Sequence, residues 1–123
     1  MKPIHILVAE DDANIRTGLV DTLESEGYRA TPAMDGKQAI EIFEAGSFDL
    51  VLLDVMMPGV DGFEVSRTLR DGNQQKKVPV VFVTSKDDSK SMQEGFRSGG
   101  RVYLTKPFTN FQLVKMVKSI IGD

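Results

Sequence analysis

Apolar residues in this chain come in two arrangements, short unbroken runs and stripes at helical spacing, and the two alternate along its length. Runs at 4–9, 28–33, 49–53, 79–84 and 102–105 read as strands. Those at 49–53 and 79–84 are built on the unbroken apolar runs Leu50-Val51-Leu52-Leu53 and Val80-Val81-Phe82-Val83, as a strand buried on both faces must be. The run at 28–33 is less apolar and belongs at a sheet edge. Ile15, Leu19 and Leu23 recur at i, i+4 and i+8, with Val20 beside them, and predict a helix over 13–26. Asp12 suits its N-cap and Gly27 its C-terminal stop. A second helix over 36–45 carries Ala39, Ile40 and Phe43 on one face and ends at Gly46. A third over 61–70 carries Phe63, Val65 and Leu69 and leaves through the polar stretch 72–77. Segment 86–99 is helical only weakly: Met92 and Phe96 make a thin stripe among Ser89, Ser91, Gly95, Ser98 and Gly99, which predicts low local stability. Phe111, Val114, Val117, Ile120 and Ile121 then mark a strongly amphipathic last helix.

Strands that alternate with helices build a parallel sheet with helices on both faces, because the crossovers share one hand. Glu10-Asp11, Asp54, Thr84 and Lys106 each lie just past the end of a strand, so a parallel sheet brings all of them to one edge. That is the edge where open α/β sheets carry their ligands. Taken singly, each has a plainer reading. Asp54 can mark where a buried strand surfaces, and Glu10-Asp11-Asp12 can be a solvated run that caps a helix. Thr84 can be an ordinary strand-end residue and Lys106 a surface lysine. Convergence of four sites on one edge favours chemistry.

Composition removes several function classes. A chain of 123 residues with 41% hydrophobic and 27% charged content is one globular domain. No apolar run approaches the roughly 20 residues of a membrane helix, and the N-terminus lacks the apolar core of a signal peptide. With no cysteine there is neither a disulfide framework nor a thiolate metal site. A net charge of −3 argues against nucleic acid as a partner. The charge is uneven: residues 1–85 hold 8 Lys/Arg against 14 Asp/Glu, whereas 86–122 carry a net of +4.

Three carboxylates facing one another repel unless a cation sits among them. Hard oxygen ligands with room for water suit Mg²⁺, and no loop offers the six or more oxygens Ca²⁺ prefers. With Mg²⁺ in place a carboxylate can attack phosphorus, and the transfer then needs positioning and charge neutralisation above all. Thr84 offers a hydroxyl and Lys106 a point charge to the transferred oxygens. Lys106-Pro107 straight after a strand suits a cis peptide.

The pieces Leu7-Val8-Ala9-Glu10-Asp11-Asp12, Asp54-Val55-Met56-Met57-Pro58-Gly59-Val60-Asp61-Gly62, Val83-Thr84-Ser85 and Tyr103-Leu104-Thr105-Lys106-Pro107-Phe108, in this order and spacing, resemble a response-regulator receiver domain over essentially all 123 residues. The resemblance implies a doubly wound, flavodoxin-like α/β fold with a five-stranded parallel sheet in the order 2-1-3-4-5. It also implies a single receiver domain over 1–123 with no output domain in this chain. Asp54 is then the phosphoacceptor, taking its phosphoryl group from a histidine kinase or a histidine phosphotransfer protein. Mg²⁺ is held by Asp11, Asp54 and the main-chain carbonyl of Met56, with Glu10 acting largely through water. Asp12, next after the acidic pair, stays a helix cap. Thr84 and Lys106 contact the phosphoryl oxygens, and Tyr103 changes rotamer on activation. The chain is then a cytoplasmic signalling protein that catalyses only its own phosphorylation and dephosphorylation. Its 84–110 region switches, and a downstream protein is met through the 86–118 face.

Departures from the family pattern qualify this. Arg101-Val102 stands where an acidic pair is frequent, which disfavours dimerisation through that face and leaves a monomer or a weak dimer. Ser85 replaces a frequent alanine, and Met56 and Lys86 occupy positions that tune dephosphorylation. Two other functions compete. A Mg²⁺-dependent phosphohydrolase also uses an aspartate nucleophile, but it wants a second acid two residues on, where Met56 stands. A flavin binder is disfavoured because Glu10-Asp11-Asp12 would repel a phosphate. His5, the only histidine, lies away from the acidic edge and reads as structural, while Met57 and Phe108 read as loop packing.

Overall fold

The computed structural model describes residues 3–55, 57, 59, 62–71, 78–85 and 102–122. Five strands run β1 His5–Ala9, β2 Arg29–Ala33, β3 Leu50–Asp54, β4 Val80–Ser85 and β5 Val102–Lys106. Four helices lie among the described residues: α1 Ala13–Ser25, α2 Gly36–Ala45, α3 Gly62–Asp71 and α4 Asn110–Ile121. All strands pair in parallel, in the order β2-β1-β3-β4-β5. The less apolar strand is at the edge, and β3, whose five residues are all buried, lies in the middle.

Because side chains alternate along a strand, β3 divides its residues between two cores. Val51 and Leu53 pack with Phe82 of β4 and with Ala39, Phe43, Phe63, Val65 and Leu69 from α2 and α3. Leu50 and Leu52 pack with Val81 and Val83 and with Leu19, Leu23, Leu113 and Val117 from α1 and α4. The helices start where capping side chains allow. Asp12 accepts from the N–H groups of Asn14 and Ile15 at 2.9 and 3.0 Å, and Asp35 accepts from Gln38 at 2.8 Å. Thr109 and Gln112 form a reciprocal capping box at the head of α4. Gly27, at φ 93°, takes the left-handed turn that stops α1.

Three expectations need correction. Asp54, Thr84 and Lys106 lie within the last residues of their strands and not just past them, since the ladder continues through Asp54↔Val83, Thr84↔Thr105 and Ser85↔Lys106. Phe111 is not on the buried face of the last helix but is 73% exposed. Leu113 and Val117, one turn apart, make that face instead, and Phe111 lies two residues from Leu113, about 200° around the helix. Ile15 heads the α1 stripe but is also exposed, whereas Leu19 and Leu23 further along it are buried. The weak helix over 86–99, Arg101, Met56, Asp61, Lys86 and the polar stretch 72–77 lie outside the described residues.

His5 is structural. Its Nδ1–H donates to the Ser47 carbonyl at 2.9 Å, its Nε2 bonds Thr31 Oγ1 at 2.6 Å, and its ring lies 4.2 Å from that of Phe48. These contacts tie the start of β1 to β2 and to the turn before β3, at the sheet edge opposite the acids. Among the described residues no helix is long and apolar enough to cross a membrane.

Two glycines in helices face opposite surroundings. A Cβ on Gly62 would sit 2.6 Å from the Asp54 carbonyl oxygen and 2.7 Å from Val55 Cα, so only glycine lets α3 approach the end of β3. A Cβ on Gly18, inside α1, would meet nothing within 4 Å. Gly18→Ala is expected to stabilise the fold by up to about 1 kcal/mol through helix propensity. Gly62→Ala is expected to destabilise it by about 1–3 kcal/mol, since a backbone clash outweighs the same propensity gain. Urea unfolding of the two variants should move in opposite directions; a shift of the same sign would contradict the close approach.

Candidate functional site

β1 delivers Glu10 to the edge in extended form. Its N–H still donates to the Ala33 carbonyl at 3.0 Å, one step beyond the last paired residue of the strand. The chain then turns into α1, and Asp11 falls in the turn, exposed. Glu10 and Asp54 are buried, at 2% and 4% exposure. Ligand oxygens of Glu10, Asp11 and Asp54 all lie within 4.8 Å of one another. Lys106 Nζ reaches in from the end of β5, 3.0 Å from Glu10 Oε1 and 3.2 Å from Asp54 Oδ2.

Alternation explains why these groups meet. Glu10, Asp54 and Lys106 have the parity of Val8, Leu52 and Leu104, and so project from the sheet face covered by α1 and α4. Thr84, 1% exposed, has the parity of Phe82 and belongs to the α2 and α3 side. Tyr103 shares that side, half-buried, with its ring centroid 5.6 Å from that of Phe82. Burial raises the Tyr103 phenol above its ordinary pKa.

The electrostatics are unbalanced. Burial, and then the neighbouring Asp54 carboxylate, push Glu10 up from 4.5 to about 7, against the pull of Lys106 and of the Asp12 N–H. Burial works against the charged form of Lys106, yet its bonds to Glu10 and Asp54 hold it above the ordinary lysine value. One ammonium therefore faces three carboxylates, and Glu10 retains a proton to relieve the excess. A small divalent cation relieves it better, and an all-oxygen donor set fits a hard one.

Residues 6–118 match the family model of the response regulator receiver domain. This chain belongs to that family. The receiver domain is 39% identical over 116 residues to the transcriptional regulatory protein ResD of Bacillus subtilis, covering 94% of this chain and 47% of ResD. It thus spans about half the length of the curated relatives it matches first. Among solved structures it resembles the chemotaxis protein CheY4 of Vibrio cholerae, with a TM-score of 0.92 and 30% identity over 97% of this chain and 99% of that one. It also resembles the receiver domain of the Pseudomonas aeruginosa sensor histidine kinase PA1611, with a TM-score of 0.90 and 30% identity over 99% and 100% of the two chains. That structure holds a magnesium ion coordinated in its active-site cleft. The sheet order and helix layers of the present receiver domain are those of a flavodoxin-like fold.

The structure brings Glu10, Asp11, Asp54 and Lys106 into one cluster. Thr84 is the penultimate residue of the neighbouring strand, Tyr103 lies on the other face, and Met56 lies outside the described residues. Two residues that touch this cluster had no role assigned from sequence, Gly62 having been quoted only as the end of the Asp54 motif. Gly62 is one, its need for glycine visible only once α3 is placed against Asp54. Arg16 is the other, and its guanidinium Nη1 donates to the Glu10 carbonyl at 2.9 Å and the Asp11 carbonyl at 3.3 Å. Its signal was an arginine one turn into a helix that starts from an acidic pair.

The raised pKa of Glu10 fixes the sign of a pH effect. Below about pH 4.5 the group is protonated in folded and unfolded chains alike; from there to about 7 only the folded chain keeps the proton. Stability from this group is therefore fully present at the acid end and lost as pH rises through about 7. In metal-free buffer, Glu10→Gln should gain on wild type between about pH 5 and pH 7.5 by on the order of 3 kcal/mol in urea unfolding. Parallel stability curves for the two proteins would contradict the assignment.

Proposed function

We propose that this receiver domain is the phosphoacceptor module of a two-component phosphorelay, with Asp54 as its phosphoryl site. The supporting observation is the buried Asp54 carboxylate, held 3.2 Å from Lys106 Nζ at the edge where Glu10 and Asp11 converge. An Asp54 Oδ attacks phosphorus, the P–N bond to a phosphohistidine breaks, and the freed imidazole keeps the electron pair and takes up a proton. The donor is a histidine kinase or a histidine phosphotransfer protein, in keeping with the family. Glu10, Asp11 and Asp54, with the Met56 carbonyl, would hold Mg²⁺, which supplies charge neutralisation to the transferred oxygens.

The chain's own residues do the rest. Asp54, already buried, needs little reorganisation to reach an incoming phosphorus. Lys106 exchanges a carboxylate oxygen for a phosphoryl oxygen, keeping its charge compensated throughout. Thr84 donates its hydroxyl to another of the new oxygens. That inward pull is what the Tyr103 ring, on the same side of the sheet, responds to, and the 84–110 region shifts between two populations. The 86–118 face then meets a downstream protein target. In this reading the domain catalyses only its own phosphorylation and dephosphorylation. It works in the cytoplasm as a monomer or weak dimer, and its acidic body makes no contact with nucleic acid or membrane. Relatives named as transcriptional regulators, such as ResD, are about twice as long as the part this chain matches, so a transcriptional role is not carried over to it.

The test is labelling with acetyl phosphate. Wild type should incorporate close to one phosphoryl group per chain in the presence of Mg²⁺, and lose that labelling when the metal is chelated. Asp54→Asn should abolish it; labelling that survives the substitution would remove the basis of the reading. Continuous turnover of a generic phosphate ester would instead favour a phosphohydrolase.

Saturation with beryllofluoride and Mg²⁺ should in addition shift amide resonances of Thr84, Ser85 and the 102–110 stretch. Shifts confined to Glu10, Asp11 and Asp54 would argue against a switch.

A further inference from the structure

The direction of the two acids depends on a turn of three residues, 10–12, between β1 and α1. Several bonds fix it. The Glu10 N–H remains on Ala33, the Asp12 N–H donates to Glu10 Oε2 at 3.2 Å, and the Asp12 carboxylate is spent on capping α1. The two peptide carbonyls of Glu10 and Asp11 point the other way, and both are taken by Arg16. Arg16 is placed to do this by α1 itself. Its own N–H closes the first helical turn on the Asp12 carbonyl at 2.8 Å, and helical side chains lean toward the N-terminus. The guanidinium thus folds back over the turn from which its helix begins. Nη1 carries two hydrogens, so each carbonyl can receive its own.

We infer that Arg16 is a positioning residue for the cation site: by holding the carbonyls of Glu10 and Asp11 on one side of the turn, it aims their carboxylates at Asp54 on the other. It touches neither the cation nor the phosphoryl group. The inference rests on the proposed function, which supplies the cation. Two effects of Arg16 oppose each other, and they predict opposite signs. As a permanent positive charge near three carboxylates it would weaken cation binding, so its removal would tighten the site. As a bracket on the turn it strengthens binding, so its removal loosens the site. The bracket should win. A fixed fork to two carbonyls sets the geometry of both ligands at once, whereas its charge sits behind the peptide planes, in a side chain partly open to solvent.

The experiment is a Mg²⁺ titration of wild type, Arg16→Gln and Arg16→Lys, read by amide chemical shifts, with the urea stability of the metal-free proteins measured in parallel. Arg16→Gln should weaken Mg²⁺ about tenfold, as partners behind metal ligands generally do. Arg16→Lys, which keeps the charge and loses the fork, should fail to restore it. Acetyl phosphate labelling should need about tenfold more Mg²⁺ for half its maximal rate in either variant, with most of the loss recovered at saturating Mg²⁺. Unchanged or tighter Mg²⁺ binding in Arg16→Gln would overturn the inference, as would full restoration by lysine. Unfolding of both variants would overturn it too, by making Arg16 a structural residue. A wild type that binds no Mg²⁺ would instead sink the proposed function on which the inference stands.

Discussion

Everything at the carboxyl edge of this sheet depends on an excess of negative charge that the fold cannot disperse. Two like charges about 4 Å apart cost on the order of 4 kcal/mol where the effective dielectric is that of a protein surface, and here three carboxylates converge with two of them buried. Lys106, bonded to both buried acids, removes part of the strain. Glu10 removes more by holding its proton toward neutrality. Neither response is complete, and a site left in that condition is ready for a cation. The same imbalance that weakens the metal-free protein near neutral pH is what a bound cation would relieve.

The fold sustains that arrangement with backbone more than with side chains. Parallel pairing carries the ladder to Asp54, Thr84 and Lys106, so that each is set by register and not by a free loop. Gly62 lets α3 press against the carbonyl of Asp54, and Asp12, Thr109 and Gln112 fix where the flanking helices begin. Substitutions at these supporting positions would act on the site through the backbone that carries it.

Much of this was legible in the chain. An unbroken apolar run into Asp54 needs a central strand, and alternation with helical stripes needs a parallel sheet, so the edge and its acids followed from patterning alone. The Gly62 and Arg16 contacts were not legible because neither depends on periodicity. One is a steric limit set by the packing of α3, the other a hydrogen bond back across a turn. Phe111 shows a different limit. Phe111 falls into a stripe with Val114 and Val117 on paper, while the buried face runs through Leu113 and Val117, and only the placement of α4 against the sheet decides which is covered. Strand ends were misjudged by a residue for a related reason: a polar side chain closes the apolar run, while the backbone goes on pairing.

The division of the core by β3 has a further meaning. Glu10, Asp54 and Lys106 rise from the side packed by α1 and α4, while Thr84 and Tyr103 belong to the side packed by α2 and α3. The sheet is thus a partition one peptide thick, with the acid cluster on one side and the aromatic stack on the other. Under the proposed function, an event at Asp54 reaches the far side around the open rim of the sheet, near Thr84 at the end of β4. A domain built in this way can exchange what lies on its far side without rewriting the chemistry on its near side.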